Sequence, residues 1–398
     1  MPEAAPPWHN RTVLGVSLAS LCSDVGHEMA TSLMPVLLAS VAGGSAALGL
    51  IEGISDGLAS FAKLFSGLYS DRLERRKPLA VAGYVATACG MGSFALAQRW
   101  WHILLARAFA WTGRGARTPV RNVLMTEATE PSTRGRAFGF ERAMDSAGAV
   151  IGPLLALSLL PLLGVRGALA LTLIPGLAAA LLIALLVEEK KHPPRPELGL
   201  RAALAGLPRD FRRFLLGVGV AGVGDFSNTL LILWAGQAWA PRFGALRAAS
   251  LAIAFYAGYN VVYTLCAYFS GALADRFRKT RVLAAGYACA AVPAAALLWP
   301  GASLLKFALV FGLSGLYMGV WETVESAAAA EVLPAEGRGL GFGALATVNG
   351  CGDLVSSAVV GSLWALHPAL AMGWVIASAL CGCAIILGAS AGSAARPA

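Results

Sequence analysis

The chain has 398 residues, of which 57% are hydrophobic and only 13% are charged. A soluble protein of this size would carry roughly 25% charged residues, so the composition excludes an ordinary soluble domain. The formal net charge is +9, but the Lys and Arg residues cluster in alternate loops between long apolar runs. That distribution is the positive-inside bias of a membrane protein, and it argues against nucleic acid as a partner.

The apolar runs predict an all-α integral membrane protein with about 12 transmembrane helices. Only helices and closed barrels satisfy their backbone hydrogen bonds in lipid, and these runs lack the two-residue alternation of barrel strands. Each run is long enough to cross about 30 Å of hydrocarbon at about 1.5 Å per residue. We predict spans at about 12–40, 46–70, 78–98, 101–126, 136–162, 166–187, 212–240, 246–273, 281–299, 302–330, 338–365 and 368–390.

A long polar segment, residues 188–211, separates the sixth span from the seventh. It predicts a cytoplasmic linker between an N-terminal six-helix bundle, residues 1–187, and a C-terminal six-helix bundle, residues 212–398. The positive-inside bias places the linker and both termini in the cytoplasm. We therefore expect a multi-pass protein of a bacterial-type inner membrane.

A basic turn occurs twice, about half a chain length apart. Residues 67–79 and 271–283 both read Gly-x-x-x-Asp-Arg, then further basic residues, then an apolar restart. The repetition indicates duplication. The small residue lets two helices approach closely, and the Asp can accept hydrogen bonds from a neighbouring helix N-terminus. The residues of this conformational motif are Gly67, Asp71, Arg72, Arg75, Gly271, Asp275 and Arg276.

The repeated turn resembles the inter-helix signature of the major facilitator superfamily, and the resemblance covers nearly the whole chain. It implies two pseudo-symmetric six-helix bundles, each built from inverted three-helix repeats. It further implies alternating access around a small-molecule site near the midplane of the lipid bilayer. On this interpretation the protein is a monomer that needs no cofactor and uses the proton gradient as its energy source.

The fifth span carries a glycine pattern of its own. Gly139, Gly148, Gly152 and Pro153 give Gly-(x8)-Gly-(x3)-Gly-Pro, which looks like the antiporter signature of drug:proton exporters in that superfamily. The final two glycines of the signature are replaced by Ala156 and Leu157. The pattern favours antiport, with the fifth helix lying against the eighth and bent at Pro153, although simple helix packing would also explain it.

Two acids on the first span are candidates for the coupling proton. Asp24 and Glu28 are one helical turn apart and therefore share a face. Ionisable side chains inside the bilayer are costly and usually functional. Burial and a neighbouring like charge both favour the protonated acid, so this pair would accept a proton near neutral pH. The alternative is a divalent-metal or metal-chelate exporter that uses Asp24, His27 and Glu28, with a likeness to ferroportin-type exporters.

Four arginines share one face of the fourth span: Arg107, Arg114, Arg117 and Arg121. Arg107 resembles the superfamily's fourth-helix arginine, which lies beside the proton path. We predict that Arg107 or Arg114 responds to the charge of the acid pair, that Arg114 and Arg117 contact an anionic substrate group, and that Arg121 is structural. Pairing of any of these arginines with first- or second-span acids is equally consistent with the sequence.

The second half contains uncompensated acids with aromatic neighbours. Aromatic faces beside acids suit an organic cation, and they also suit a proton relay or ordinary packing. The acidic charges suggest a cation where the arginines of the first half suggest an anion, and a zwitterionic or amphiphilic molecule would use both. The predicted substrate contacts in this half are Asp225, Asn228, Trp321, Glu322 and Glu325.

Together these features predict a proton-coupled secondary transporter that exports a small organic molecule. A proton-coupled importer of a small organic anion is a further alternative, and a receptor or sensor is the rival class. An enzyme is not expected, because the chain has no Walker loop, no His-Glu-x-x-His and no Gly-x-Ser-x-Gly. The seven cysteines lie in apolar runs without a Cys-x-x-Cys pattern, so we predict no resident metal site.

Overall fold

The computed structural model describes residues 8–41, 45–189, 191, 200–225 and 228–394. Within these residues the regular structure is entirely helical. The helices are α1 (Arg11–Ser40), α2 (Ser45–Ser70), α3 (Lys77–Gly92, with a 3₁₀ turn to Leu96), α4 (Trp100–Glu127), α5 (Arg134–Leu171), α6 (Leu173–Leu186), α7 (Leu200–Ala205), α8 (Arg209–Gly222), α9 (Asn228–Phe243), α10 (Ala245–Arg276), α11 (Lys279–Leu298), α12 (Leu304–Val332), α13 (Arg338–Leu366) and α14 (Pro368–Ala394).

Six helical stretches are long and apolar enough to cross a membrane by length and composition alone, among the residues that the structure describes. They are Lys77–Leu96, Arg134–Leu186, Lys279–Leu298, Leu304–Val332, Arg338–Trp364 and Pro368–Gly388. Helix α4 falls outside this set because its arginines interrupt the apolar sequence. The stretch Arg134–Leu186 covers two of the predicted spans, and the helix bounds are consistent with twelve.

The fifth and sixth spans meet at Gly164, where the helical conformation is interrupted. Gly164 has φ 65° and ψ 175°, a left-handed φ that favours glycine over residues with a Cβ. Gly164 is the one residue of α5 whose φ and ψ are not helical, whereas Pro153 lies inside the helix without such a departure. The break between the two spans is therefore set by this glycine.

The seventh predicted span is not one helix, so the prediction of a continuous 212–240 segment was wrong. Helix α8 ends at Gly222 and α9 begins at Asn228. A break at membrane depth is tolerated where other groups satisfy the freed backbone. Trp374 Nε1 donates to the carbonyl of Val223 at 2.8 Å, and the Ser356 hydroxyl donates to the carbonyl of Asp225. Side chains of α13 and α14 thus stabilise the interruption.

The chain divides into two compact units. The N-terminal unit comprises Met1–Leu207 with Leu333–Thr347, and the C-terminal unit comprises Pro208–Val332 with Val348–Ala398. In the N-terminal unit α3 packs on α4 and α6, α2 packs on α4, and α1 packs on α6. In the C-terminal unit α11 packs on α12 and α14, α10 packs on α12, and α8 packs on α14. The same order of helix pairing therefore occurs in both units.

Each unit buries its own apolar cluster. The cluster of the N-terminal unit is centred on α1, with Leu33, Met34 and Leu37. That of the C-terminal unit includes Trp239 and Phe307. Large apolar side chains also lie exposed on long helices, such as 61% of Leu105 and 65% of Phe61 and Phe269, as expected of surfaces that face lipid rather than water.

Candidate proton and substrate sites

Two glycines of α5 bring α1 close to it at the level of the acid pair, Asp24 and Glu28. A Cβ at Gly148 would lie 3.0 Å from the Cβ of Asp24, and a Cβ at Gly152 would lie 2.8 Å from the Cβ of Glu28. Side chains at these positions would push the helices apart. Gly148 and Gly152 of the sequence pattern thus pack against α1. The contact of the fifth helix with the eighth stays a prediction.

The acid pair lies between an arginine and a histidine. Asp24 is 5% exposed, and its Oδ1 lies 3.3 Å from Arg114 Nη2. That oxygen has no hydrogen bond of good geometry, so the contact is an ion pair without an aligned hydrogen bond. Glu28 Oε1 lies 3.4 Å from Nε2 of His27, and the His27 ring packs 4.8 Å from the ring of Trp111.

Two further arginines of α4 are buried against aromatic rings. Arg107 is 5% exposed, with its guanidinium 4.1 Å from the ring centroid of Trp111. Arg117 is 4% exposed, with its guanidinium 3.9 Å from the ring centroid of Tyr84. No carboxylate lies within ion-pair distance of Arg117 among the described residues, and its Nη1 lacks a hydrogen-bond partner there. A buried cation in this state is a candidate for an anionic ligand group.

Arg121 differs from the other three because a carboxylate of α5 and a hydroxyl of α1 both contact its Nη1. Its Nη1 lies 2.7 Å from Glu141 Oε1 and donates to Ser20 Oγ at 2.9 Å. The Ser20 hydroxyl donates to the same Glu141 oxygen at 2.6 Å. Asp145, one turn further along α5, pairs with Arg142 at 3.1 Å. These contacts give Arg121 the structural setting that the sequence predicts for it.

The C-terminal unit has a different polar centre, built around Glu325 of α12. This side chain is 4% exposed and accepts hydrogen bonds from three neutral donors. Trp321 Nε1 donates at 2.6 Å, the Tyr287 hydroxyl at 3.0 Å and Asn349 Nδ2 at 2.5 Å. No lysine or arginine lies within ion-pair distance of Glu325 among the described residues.

A cavity opens beside this acid at the break between α8 and α9. We call it the tyrosine cavity, because the rings of Tyr259, Tyr287 and Tyr317 line it together with Asp225 and Met318. The centre of a water-sized sphere can move through about 30 Å³ of it, within about 550 Å³ of non-atom space that includes open solvent. Asp225 therefore reaches a cavity, as expected of a ligand contact, while Trp321 lies behind it, stacked on Tyr317 at 5.6 Å.

The remaining predicted contacts of this unit are placed less centrally. Glu322 accepts a hydrogen bond from the hydroxyl of Tyr263 and does not line the tyrosine cavity. Asn228 begins α9, and its side chain lies outside the described part of the structure. The geometry thus brings Asp225, Trp321 and Glu325 together and leaves Glu322 on the neighbouring face.

The first basic turn caps the start of α13, which belongs to the N-terminal unit up to Thr347. Asp71 accepts hydrogen bonds from the backbone amides of Gly339 at 3.0 Å and Leu340 at 2.9 Å. A Cβ on Gly67 would collide with the carbonyl of Gly339. An acid and a glycine at these positions are what such a helix end requires.

The buried arginine of this turn is Arg76, which the sequence pattern did not single out. It lies 3.5 Å from Asp71 and 2.6 Å from Glu127 of α4. Arg75 is exposed, and Arg72 is half-buried. Arg76 is the last residue before α3, and that position beside a helix start was the available signal.

The second basic turn is held by a lysine. Lys279 Nζ lies 2.7 Å from Glu331 and 3.9 Å from Asp275. Arg276 is exposed and Gly271 is buried. The two turns share a sequence pattern and an acid at the same position, but their basic partners differ.

The alternative interpretation of the acid pair is a metal site formed together with His27. Across the described ranges, no three His, Cys, Asp or Glu side chains are grouped so that they could hold a metal ion. Asp24, His27 and Glu28 therefore do not form such a group in this conformation.

A sequence model of the Major Facilitator Superfamily matches residues 16–247, more than half of the chain. The chain belongs to the major facilitator superfamily. It is accordingly a multi-pass membrane protein and a transporter rather than an enzyme, as the repeated turn predicted. The family also explains the repeated helix pairing, because its two bundles are related by duplication.

Curated relatives of this superfamily member cover different shares of the chain. An uncharacterized MFS-type transporter from Methanocaldococcus jannaschii is 26% identical over 360 residues, 90% of each protein. The multidrug resistance protein MdtH of Yersinia enterocolitica is 37% identical over 109 residues, only 27% of this chain and 26% of MdtH. The drug-exporter likeness is therefore partial.

Solved transporters of the superfamily share its fold over almost the whole chain. The human organic anion transporter MFSD10 has a TM-score of 0.77 at 18% identity, over 96% of this chain and 100% of its own. The E. coli fucose:proton symporter FucP has 0.73 at 18%, over 96% and 99%. A bacterial homologue of the iron transporter ferroportin has 0.77 at 15%, over 96% and 99%. At these identities the likeness establishes the fold alone.

Sequence reasoning missed the neutral members of the C-terminal site. Asn349 and the cavity tyrosines lie on α10, α11, α12 and α13, and nothing local to each residue marks it. A signal existed for Tyr259 alone, which shares one face of α10 with Tyr256 and Tyr263.

Proposed function

We propose that this transporter couples a proton gradient to the export of a small organic molecule, with Asp24 and Glu28 as the proton-carrying groups. The observation that carries the proposal is the buried ion pair between Asp24 and Arg114 with Glu28 and His27 beside it. An intramembrane acid with a basic partner is a typical proton relay. The partial likeness to MdtH supports export.

The proposed cycle uses Arg114 as the group that senses the acid pair. When Asp24 is ionised, its attraction holds Arg114 at 3.3 Å. A proton on Asp24 removes that charge and frees the guanidinium to move away from α1, which weakens the site that the ionised pair maintains for the transported molecule. Because Asp24 Oδ1 has no aligned hydrogen bond, separating Asp24 from Arg114 costs mainly their Coulomb attraction. Protonation from outside would therefore accompany release of the molecule there, and loss of the proton to the cytoplasm would restore the pair for the next molecule, so that the two fluxes run in opposite senses.

Arg117 extends the same surface toward the substrate. Its buried guanidinium, stacked on Tyr84, has an Nη1 without a protein acceptor among the described residues. An anionic group of the substrate would supply that acceptor and offset the cost of burying the charge. Arg107, stacked on Trp111 next to His27, would respond to the charge of the acid pair.

Flux in proteoliposomes tests the function itself. Purified protein is reconstituted and given a panel of organic anions, amines and zwitterions, together with Mn²⁺, under pH gradients of both senses. We expect saturable, uphill flux of at least one organic compound in the sense opposite to proton flow. Flux in the same sense as the protons would make the protein an importer, uphill flux of Mn²⁺ alone would support the metal alternative, and gradient-independent binding without flux would indicate a sensor.

The orientation of the chain is a separate proposal. The Lys and Arg residues of the two basic turns and of the 188–211 segment support a cytoplasmic position for these parts in an inner membrane. A single cysteine at Arg195, in a chain whose native cysteines are replaced, should not react with a membrane-impermeant reagent added to intact cells. Labelling from outside would reverse the orientation.

A further inference from the structure

We propose that the tyrosine cavity of the C-terminal unit binds an organic ammonium group, so that a transported molecule carries a protonated amine. The inference rests on the proposed transport function and adds the chemical class of the substrate. It depends on three features of the same cavity: its charge, its aromatic walls and the broken helix at which it opens.

The charges around the cavity are all negative. Asp225 lines it directly, and Glu325 lies behind the ring of Tyr287, whose hydroxyl donates to that carboxylate. None of the described residues that line the cavity is a lysine, arginine or histidine. The basic residues of the C-terminal unit lie instead at helix ends, as Lys279 and Lys306 do. An entering cation would therefore meet negative charge that no basic side chain of the lining neutralises.

The break between α8 and α9 adds to this potential. Helix α8 ends at Gly222, beside Asp225 and Gly224 in the cavity wall. A helix C-terminus carries partial negative charge on its last carbonyls. Broken helices of secondary transporters present such ends to cations. The carbonyls of Ala221, Gly222 and Val223 already accept hydrogen bonds, so this end adds the dipole of α8 and no open carbonyl ligand.

The walls select an organic cation over a metal ion. Three phenol rings, Tyr259, Tyr287 and Tyr317, and the thioether of Met318 line the space. Aromatic faces attract ammonium groups through their quadrupoles and also bury the carbon atoms attached to nitrogen. A hard metal ion would need several oxygen ligands at short range, whereas this cavity offers one lining carboxylate among apolar side chains.

The Glu325 side chain is held beside the cavity by neutral groups and not by a basic residue. Three neutral donors, Trp321, Tyr287 and Asn349, occupy its oxygens. Hydrogen bonds from neutral donors favour the ionised form of a buried carboxylate. The carboxylate can therefore remain buried while the cavity is empty and still attract an ammonium group through the Tyr287 ring.

Binding of benzylamine, compared with benzyl alcohol, tests the inference on the full-length protein in detergent at pH 7. Benzylamine is protonated at this pH, and benzyl alcohol is its neutral analogue of the same shape. We expect benzylamine to raise the unfolding temperature in a saturable manner and benzyl alcohol to have no saturable effect. Equal responses to the two compounds, or stabilisation by Mn²⁺ but not by benzylamine, would overturn the proposal.

Variants localise the binding. Asp225→Asn should weaken benzylamine binding about tenfold, the loss of one charge contact worth about 1.4 kcal/mol, and Tyr317→Leu should weaken it several-fold. Asp210→Asn, in the first turn of α8 and away from the cavity lining, should bind as the native protein does. The unfolding temperature of each variant without ligand shows whether it is folded, and Glu325→Gln offers a second test if Asp225→Asn is not.

One further variant separates this inference from the proposed function. Asp24→Asn should lose proton-driven flux yet bind benzylamine as tightly as the native protein, because Asp24 belongs to the other unit. Native affinity in Asp225→Asn, Tyr317→Leu and Glu325→Gln alike would place the amine elsewhere and overturn the inference, even if transport is proton-coupled.

Discussion

The two units stabilise their buried acids with different kinds of partner. In the N-terminal unit buried acids face buried arginines, as Asp24 faces Arg114 and Glu141 faces Arg121. In the C-terminal unit the hydrogen-bond donors to the buried acid Glu325 are all neutral among the described residues. The N-terminal centre can therefore rearrange by breaking ion pairs, whereas the C-terminal centre offers an acid that a cation can pair with.

The energetic consequence of this difference can be measured. Removing one member of a buried ion pair leaves the other charge uncompensated, which is strongly destabilising. Removing a charge that only neutral groups contact leaves no such charge behind. Substitutions in the two units should therefore differ in their cost even where burial is the same.

The largest expected effect is that of Arg121→Met. It strands Glu141 and should lower the free energy of unfolding by about 3–5 kcal/mol, measured by denaturant titration in detergent micelles. The double variant Arg121→Met/Glu141→Leu is the control and should recover most of the loss, because no charge remains. Equal losses in the single and double variants would show that the ion pair does not determine the stability there.

Glu325→Gln is the matched substitution in the C-terminal unit. Its amide oxygen can still accept from Trp321 and Tyr287, and Asn349 can turn its amide, whose Oδ1 has no partner among the described residues. We expect the same titration to give a loss within about 1 kcal/mol. A loss as large as that of Arg121→Met would contradict the comparison between the units.

Arg117→Met should reduce the affinity for an anion rather than the stability. We expect about tenfold weaker binding of benzoate, or about 1.4 kcal/mol, since no carboxylate of the described residues lies within ion-pair distance of the guanidinium to be left unpaired. Isothermal titration measures the binding, with Arg99→Met as the control at an exposed position. Unchanged benzoate affinity would remove Arg117 from the substrate surface.

A smaller effect distinguishes the two basic turns. Asp71→Asn weakens the cap on α13 and should slow turnover several-fold while leaving substrate affinity nearly intact, because the turn biases one conformation over another. Asp275→Asn, whose acid lies 3.9 Å from Lys279, should slow it less. Paired transport and binding assays decide this, and lost binding at an unchanged turnover rate would count against it.

The helices could be predicted from the sequence because hydropathy decides which segments enter lipid. The interruption near Asp225 could not, since the groups that stabilise it, Trp374 and Ser356, come from distant helices. If Trp374 and Ser356 are not considered, the glycines of α8 indicate only close helix packing. A sequence pattern shows where a helix can break but not whether its backbone is satisfied there.

The candidate sites follow the same division. Asp24, Glu28 and the arginines of α4 were found because charges inside apolar runs are conspicuous. Their pairing was left open, because a shared helix face does not say which arginine meets which acid. The phenols around Asp225 were missed because tyrosine is ordinary in a membrane helix, and only the fold brings three of them to one cavity.

The central claim is that the acid pair of the N-terminal unit carries the proton and the acid of the C-terminal unit does not. Proton-driven uptake into inverted vesicles measures it directly with Asp24→Asn, Glu28→Gln and Glu325→Gln. The account predicts that Asp24→Asn and Glu28→Gln lose uphill transport while at least one keeps downhill exchange, and that Glu325→Gln still responds to the gradient. Unchanged uphill transport in both acid-pair variants would contradict it and move the coupling role to Asp225, Glu322 and Glu325.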